Sequence, residues 1–243
     1  MYHLNKKVHI KMVEGYNDPE AINSRIKRDQ MNRENAETGK YKHFFFVQKY
    51  MNCDQIISKL LIKAIKEGEY DYVVSLSTTY NTMLAAVSDK VKAKTIGWQH
   101  SFYDAYFETQ GRRHYNQDKY SKYMFKKLDR YVVLTHYDQQ KIKEKFKVDT
   151  TVIHNLKSLN VKTPSKLEKK HFLSLGRFVP VKNYEMMIDM FHEFHKKNKD
   201  WILDIYGEGP LQEKIEKKIK EYKLKDYVLL HPYESDISKC YLF

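Results

Sequence analysis

The chain has 243 residues, room for one large domain or two small ones, and its 42% apolar content is ordinary for a protein with a packed core. No stretch approaches the ~20 consecutive apolar residues of a membrane span, and the N-terminal MYHLNKK carries no apolar block after its charges, which excludes a secretory signal of the usual form. The 44 basic and 31 acidic side chains leave a formal charge of +13, for which three explanations compete: a nucleic-acid partner, attraction to an anionic membrane surface, or a Lys-rich composition without functional meaning. The excess is spread along Lys-rich helical segments rather than gathered in one arm, which argues against a dedicated nucleic-acid surface. Cys53 and Cys240 sit in unrelated contexts and read as reduced thiols of a cytosolic protein.

In chain order, Lys6 to Val13 alternates apolar and polar residues and predicts a strand. Asn17-Asp18-Pro19 marks a turn, with a helix expected from Ala21 onward. His43 to Val47 (HFFFV) is a short buried-strand candidate. Asn52 to Lys66 is an amphipathic helix with Ile56, Ile57, Leu60, Leu61, Ala64 and Ile65 on one stripe and Gly68 as its C-cap. Tyr70 to Leu76 predicts a strand, Ser77-Thr78-Thr79 a helix cap, and Asn81 to Ser88 the helix. Lys94 to Trp98 is the next strand, closing at His100. Arg130 to Leu134 follows, then a cap at Thr135, a helix through Phe146 and a short strand over Thr151 to Ile153. Strands alternating with helices predict parallel βα units.

Lys157 to Lys170 is rich in Lys, Ser and Pro without apolar periodicity, and a domain boundary is expected there, giving domains 1–160 and 161–243. A second βαβαβ run follows. It has a strand from Phe172 to Leu175, a helix with Met187, Met190, Phe191 and Phe194 on one face, and a strand from Trp201 to Tyr206. A helix with Leu211, Ile215, Ile219 and Tyr222 and a strand from Tyr227 to Leu230 complete it. That is half of a doubly wound sheet.

The turns after the first two of these strands carry the chemistry. Gly176-Arg177 runs into Val181-Lys182-Asn183, placing two fixed cations where open α/β sheets bind ligands. Arg grips two phosphate oxygens with its planar fork, Lys adds a compact charge, and Asn183 is placed to cap the next helix. The plain alternative is a solvated basic turn. Gly207-Glu208-Gly209-Pro210 closes the next strand; the glycines allow close backbone approach and Pro210 suits a first helical turn. A bare GxG is weak by itself, but one βα unit after the Arg/Lys turn it should lie beside that turn on the same sheet edge.

These residues, Gly176-Arg177, Lys182-Asn183, and Trp201 to Pro210 with Val228, resemble the C-terminal half of the GT-B, family-4-type (group 1) glycosyltransferases. The likeness is close over about residues 170 to 240. It is looser over about 70 to 156, where Tyr70 to Ser77, Ile96 to His100, Asp129 to Thr135 and Val152 to Asn155 look like later strands of that family's acceptor domain. The resemblance implies an α/β fold of two Rossmann-like domains of GT-B type. The acceptor-side domain is then 1–160, and 161–243 is an incomplete nucleotide-sugar domain.

It further implies a retaining enzyme of bacterial polysaccharide, capsule or cell-wall biosynthesis. Such an enzyme passes sugar from a UDP- or GDP-linked donor to a glycan or lipid-linked acceptor, with no metal cofactor and no nucleic acid. The setting is cytoplasmic, with peripheral contact at the inner face of an anionic membrane. Carried over residue by residue, Arg177 and Lys182 bind the donor diphosphate. Gly176, Asn183, Gly207, Glu208 and Gly209 line the nucleotide cleft. His100 faces the transferred sugar as the catalytic candidate, with a structural histidine beside Trp98 as the even alternative.

The family's Glu-x7-Glu element, which holds donor ribose and sugar, is expected after the third strand of the second domain, past Phe243, and Glu234 precedes that position. The glycine-rich turn after the first N-domain strand is likewise not visible. The chain therefore reads as a fragment, and a non-catalytic remnant or interaction module is the competing expectation. Ser101 to Asp118, with five aromatics and Arg112, Arg113 and His114, is either an acceptor or headgroup contact or an ordinary packed connection. No metal-ligand pattern stands out; His192 and His195 share helical spacing without a carboxylate, and neither HExxH, Walker A nor a Ser-His-Asp signature occurs.

Overall fold

The computed structural model describes residues 7–156 and 168–241, and the chain divides into two compact units, Met1–Asn155 and Leu156–Phe243. The domain boundary expected between 160 and 161 lies outside the described residues. In the first unit the helices α1 (Pro19–Thr38), α2 (Phe45–Asn52) and α3 (Gln55–Glu67) precede β1 (Tyr72–Leu76). Then come α4 (Thr78–Val87), β2 (Lys94–Trp98), α5 (Asp118–Phe125), β3 (Arg130–Val133), α6 (His136–Phe146) and β4 (Thr151–Val152). The strands form one sheet in the order β1-β2-β3-β4. All pairings are parallel, with Val74 opposite Ile96, Ile96 opposite Arg130 and Val132 opposite Thr151.

Its apolar core joins Leu84, Ala85 and Val87 of α4 to Tyr120, Met124 and Phe125 of α5, Tyr131 and Val133 of β3, and Ile142 and Phe146 of α6. Phe125 stacks on Tyr131 at 4.4 Å between centroids, a geometry that adds to the burial itself.

Two expectations fail in the first part of this unit. Of the strand expected over Lys6 to Val13, the described residues 7–13 form no strand, and Val8, Ile10 and Met12 are exposed. Alternation fits a strand to a half-buried sheet, but it supplies no neighbouring strand, and residues 7–13 join neither described sheet. His43 to Val47 is not a strand either; from Phe45 it is α2. The buried positions of α2 are Gln48, Met51 and Asn52, a helical spacing. The face it buries is largely amide rather than apolar, so Phe44 and Phe46 turn outward.

Gln48 Nε2 donates to the carbonyls of Tyr41 at 2.8 Å and Lys42 at 3.0 Å. Asn52 Nδ2 reaches Gln117 Oε1 at 2.7 Å, and Gln117 Nε2 reaches Asn32 Oδ1 at 3.0 Å. Asn32 in turn donates to Met51 O at 2.7 Å. Arg28, 1% exposed, sits 3.1 Å from Asp54 Oδ2 and donates to Asn52 O. Asp54 also accepts from Ser24 and caps α3 through Ile57 N. Gly68 ends α3 as expected, but in a right-handed conformation; the left-handed residue is Glu69, with φ 47°.

The second unit follows the sequence reading closely. β5 (His171–Leu175), β6 (Ile202–Tyr206) and β7 (Val228–His231) form a parallel sheet in the order β5-β6-β7, with Leu175 opposite Tyr206 and Tyr206 opposite His231. α7 (Tyr184–His195) and α8 (Gln212–Glu221) pack over Leu203, Ile205 and Val228 through Tyr184, Ile188, Phe191, Ile215 and Ile219. Met190 is exposed, so the buried stripe of α7 is Tyr184, Ile188 and Phe191 rather than one running through Met190. Tyr184 and Ile188 are spaced by four and Ile188 and Phe191 by three, the spacing of one helix face. Asp189 on α7 accepts from Lys218 Nζ and Tyr222 Oη, both at 2.6 Å, tying α8 and the residue after it to α7. Among the described residues no helix is long and apolar enough to cross a membrane.

Candidate functional site

The turns that leave β5 and β6 are joined backbone to backbone. Gly176 N donates to Tyr206 O at 3.0 Å, Phe178 N to Glu208 O at 2.8 Å, and Leu211 N to Phe178 O at 3.1 Å. The glycines allow this closeness. A Cβ at Gly207 would stand 2.0 Å from Gly176 O, and one at Gly209 would stand 2.6 Å from Phe178 O. Both contacts are with backbone, so no side chain can swing aside to make room.

Phe178, fully buried, plugs the space beneath the paired turns, and Tyr184 donates its hydroxyl to Gly176 O at 3.1 Å. Burial pushes the Tyr184 phenol up, its bond to Ser174 working the other way. Neither Phe178 nor Tyr184 was singled out from sequence. The available signal was their place, one residue past Gly-Arg and first in the next helix.

Arg177 and Lys182 are exposed on this scaffold. Lys182 closes a 3-10 turn over Pro180–Lys182, and its stem passes over Gly176, with Cε 3.7 Å from where a Cβ would stand there. Among the described residues, neither cation pairs with a carboxylate. Two exposed cations beside closely packed turns at the C-terminal edge of a parallel sheet are an arrangement suited to an anion.

The expected side-chain cap at Asn183 is absent. Asn183 holds the N-cap position of α7 in a left-handed conformation, φ 49°, with no capping bond, and its amide lies 3.5 Å from Met186 Sδ. With that backbone the side chain points away from the N–H groups it would cap, since caps use extended backbone. Glu208 is exposed at the tip of the second turn, and Gly207 is buried beneath it.

His100 lies in the first unit, just past β2. It is exposed, and its ring sits 5.1 Å from that of Trp98. The residue between them is firmly held: Gln99 N donates to Val132 O at 2.8 Å, Gln99 Nε2 to Ser101 O at 2.8 Å, and Tyr131 Oη to Gln99 Oε1 at 2.9 Å. His136 and His154 stand similarly past β3 and β4, 6.2 Å apart between ring centroids, with His154 Nδ1 bonded to Leu134 O at 2.7 Å. The strand order places these three past the ends of neighbouring strands, along one sheet edge.

The Ser101 to Asp118 connection packs on the domain through Tyr103, Phe107, His114 and Gln117 and leaves much of the rest exposed. Tyr103 and Phe107 are buried, a π turn spans Asp104–Glu108, and Tyr103 N donates to Asp138 Oδ1 at 2.8 Å. His114 is fully buried against Thr79, and burial pushes its pKa down to about 3. Among the described residues no group of three or more His, Cys, Asp or Glu side chains is placed to hold a metal ion.

Residues 157–242 match the family described as glycosyl transferases group 1. An uncharacterized glycosyltransferase of Haemophilus influenzae is 28% identical over 187 residues, 76% of this chain and 52% of that protein. Among solved structures, TarM of S. aureus, in complex with fondaparinux, alpha-GlcNAc-glycerol and UDP, superposes with a TM-score of 0.58 at 23% identity, covering 76% of this chain and 37% of that one. The pneumococcal O-GlcNAc transferase GtfA, in complex with UDP and GlcNAc, gives 0.56 at 16%, covering 72% and 37%. At these identities the structural likeness establishes the fold. The chain spans about half the length of the Haemophilus relative. The resemblance to group 1 glycosyltransferases and the GT-B type α/β fold, both read from the sequence, are borne out.

Proposed function

We propose that the paired turns of the second unit bind the diphosphate of a nucleotide-sugar, and that the chain serves a retaining glycosyltransferase of bacterial polysaccharide biosynthesis. One observation carries the reading. Among the described residues, Arg177 and Lys182 pair with no carboxylate, and they stand beside two backbone turns locked at the C-terminal edge of a parallel sheet. The family match covers this same segment.

In this reading Arg177 takes two phosphate oxygens and Lys182 a third, while the Gly207-Glu208-Gly209 turn, exposed at Glu208, meets the nucleotide. As the bond from the anomeric carbon to the β-phosphate oxygen breaks, negative charge grows on the diphosphate. Cations fixed before the reaction stabilise that charge most in the transition state. The acceptor hydroxyl attacks the anomeric carbon on the face the diphosphate leaves, and its proton passes to a phosphate oxygen. The two side-chain cations neutralise the leaving group, so the proposal requires no metal. His100 is proposed to face the transferred sugar from the acceptor side. The acceptor is a glycan or a lipid-linked glycan, met at the inner face of the membrane. TarM and GtfA were both solved with UDP, which makes UDP the first nucleotide to test.

The test is calorimetric titration of the full chain with UDP and with GDP. Arg177→Ala and Lys182→Ala are each expected to weaken binding by about tenfold to a hundredfold, the range for a lost charge-assisted contact. Both residues are exposed, so the variants should keep the parent melting temperature. A folded chain that binds neither nucleotide, or variants that bind as the parent does, would refute the assignment.

A further inference from the structure

α1 and the turn through Gly111 and Arg113 bound a cavity of about 280 Å³, lined by Asp29, Asn32, Arg33, Ala36, Gly111 and Arg113. That is just under the usual size of a small-molecule pocket, about 300–1,000 Å³, and leaves room for one compact ligand. Its two walls are stitched together. Gly111 N donates to Ala36 O at 3.1 Å. Gln117, fully buried, donates through Nε2 both to Asn32 Oδ1 on α1 at 3.0 Å and to Arg113 O on the turn at 2.7 Å. Gln110 Nε2 reaches Glu37 O at 3.3 Å. Asn32 and Ala36, at the base, are buried. Gly111 holds φ 79°, and a Cβ there would meet nothing within 4 Å, so the cavity is open on that side.

Two arginines line this cavity against one carboxylate. Arg113 Nη1 donates to Asp29 Oδ1 at 2.5 Å, while Arg113 Nε is closed off from solvent with no hydrogen-bond partner among the described residues. Arg33 is exposed and, among the described residues, pairs with no carboxylate. Arg112, also exposed, adds a further guanidinium beside the turn. A charged donor held away from water without an acceptor is costly, and the cost is removed when an acceptor arrives. The wall that carries Arg113 runs on to His114, which bonds to Thr79 in the first turn of α4 at 3.2 Å, just past β1. The cavity is thereby tied to the C-terminal edge of the first sheet, the edge at which open α/β sheets take ligands.

We infer that this cavity binds the phosphate group of a small soluble phosphate ester, held between Arg33 and Arg113. Its cations are arginines, whose planar fork takes phosphate oxygens two at a time. A phosphate monoester presents three terminal oxygens, enough to serve both forks, and a small turn of the Arg113 side chain gives its Nε one of them. A carboxylate has only two oxygens, and Asp29 already fills that role at Arg113. Ala36 and Gly111 leave space beside the anion for a compact polar body, such as one sugar or glycerol unit. The inference does not depend on the transferase reading, since none of these residues belongs to the paired turns or to the His100 edge.

The experiment is calorimetric titration of the full chain carrying Arg177→Ala and Lys182→Ala, so that the paired turns cannot report phosphate binding. Glucose 6-phosphate and inorganic phosphate should bind and compete for one site, and glucose and acetate should bind at least about tenfold more weakly than glucose 6-phosphate. Adding Arg33→Gln should weaken glucose 6-phosphate by about tenfold or more, the range for a lost charge-assisted contact. Adding Asp29→Asn should strengthen it by about threefold, the size of an exposed ion pair's contribution, because Arg113 is freed and a negative charge is gone. Both replaced residues are exposed, and unchanged circular dichroism and melting would show that the variants fold. A folded chain that binds neither phosphate compound, acetate that binds as tightly as phosphate, an Arg33→Gln variant that binds as its parent does, or weaker binding by Asp29→Asn would overturn the inference.

Discussion

The α2 region and the paired turns of the second unit solve the same problem in opposite ways. Each must hold irregular backbone in place. The turns do it with glycine and backbone bonds over an apolar plug, Phe178, and a core of Ile188, Phe191, Ile205 and Ile215. The α1–α2 region does it with side chains: Arg28, Asn32, Gln48, Asn52, Asp54 and Gln117 are all buried and bonded to one another or to carbonyls. The first arrangement tolerates side-chain change at its exposed cations and no atom added at its glycines. The second should tolerate added surface and no loss of a partner, because an unpaired buried polar group carries its whole desolvation cost.

The sharpest break is Arg28→Met. It leaves the Asp54 carboxylate buried without its cation, and breaking such a pair costs about 3–5 kcal/mol. Chemical denaturation should show that loss in the first unit. Adding Asp54→Asn should recover part of it, since the remaining amide can still cap α3 at Ile57 N. A double variant no more stable than the single would place the cost in lost packing instead.

In the second unit the matching break is Gly207→Ala. The new methyl would meet Gly176 O at 2.0 Å, and relief requires the two turns to part. The expected loss is about 3 kcal/mol, the upper range for overpacking, together with loss of any nucleotide binding in titration. Arg177→Ala should stay within about 0.5 kcal/mol of the parent in stability, as exposed sites do. Strong destabilisation by Arg177→Ala would mean that the cation braces the turn.

The same contrast explains what the sequence made legible. In the second unit the strands carry apolar runs, the helices show a helical stripe and the turns show glycine. The parallel strands, the helices and the meeting of the two turns could all be read in advance. The details that escaped are local: Met190 faces solvent, and Asn183 is left-handed. In the α2 region the usual signal is inverted. Hydrophobic periodicity locates a buried face only where that face is apolar. Here the buried side is amide and guanidinium, so HFFFV suggested a buried strand where the chain forms a helix with two phenylalanines outside. Lys6 to Val13 misled for another reason, since alternation records a preference that pairing alone can realise. His100 was legible as a strand-end residue, but its alignment with His136 and His154 follows from a sheet order that no single motif encodes.

A pH experiment probes the buried polar region from another side. His114 is fully buried beside Thr79, with Arg113 adjacent, and is held neutral with a pKa of about 3 against an ordinary 6.5. The unfolded chain therefore binds a proton between these values that the folded chain does not. Stability is full above about pH 6.5 and falls as pH drops through the window, by up to about 1.4 kcal/mol per unit for one group. From pH 7 to pH 5 the expected loss is about 2 kcal/mol. A His114→Gln variant should show a flatter pH dependence by that amount, and an unchanged slope would remove His114 as its source.

The smallest expected effects lie at two helix starts whose sequences look alike. Thr135 and Ser77 each precede a helix and were both read as caps. Thr135 has extended backbone, φ −137°, and its hydroxyl accepts from Asp138 N at 3.1 Å. Ser77 sits at φ 85° and ψ 142° and makes no side-chain cap bond. That backbone region costs a non-glycine residue about 1 kcal/mol or more, and Ser77 is held in it by backbone bonds to Trp98 O at 3.0 Å and from Asn81 N at 2.9 Å. Thr135→Ala should therefore destabilise by about 1 kcal/mol, while Ser77→Gly should stabilise by a similar amount. Opposite signs in thermal melts would separate a cap that acts through its side chain from a turn that acts through its backbone. Two losses of equal size would show instead that the Ser77 hydroxyl contributes at that turn.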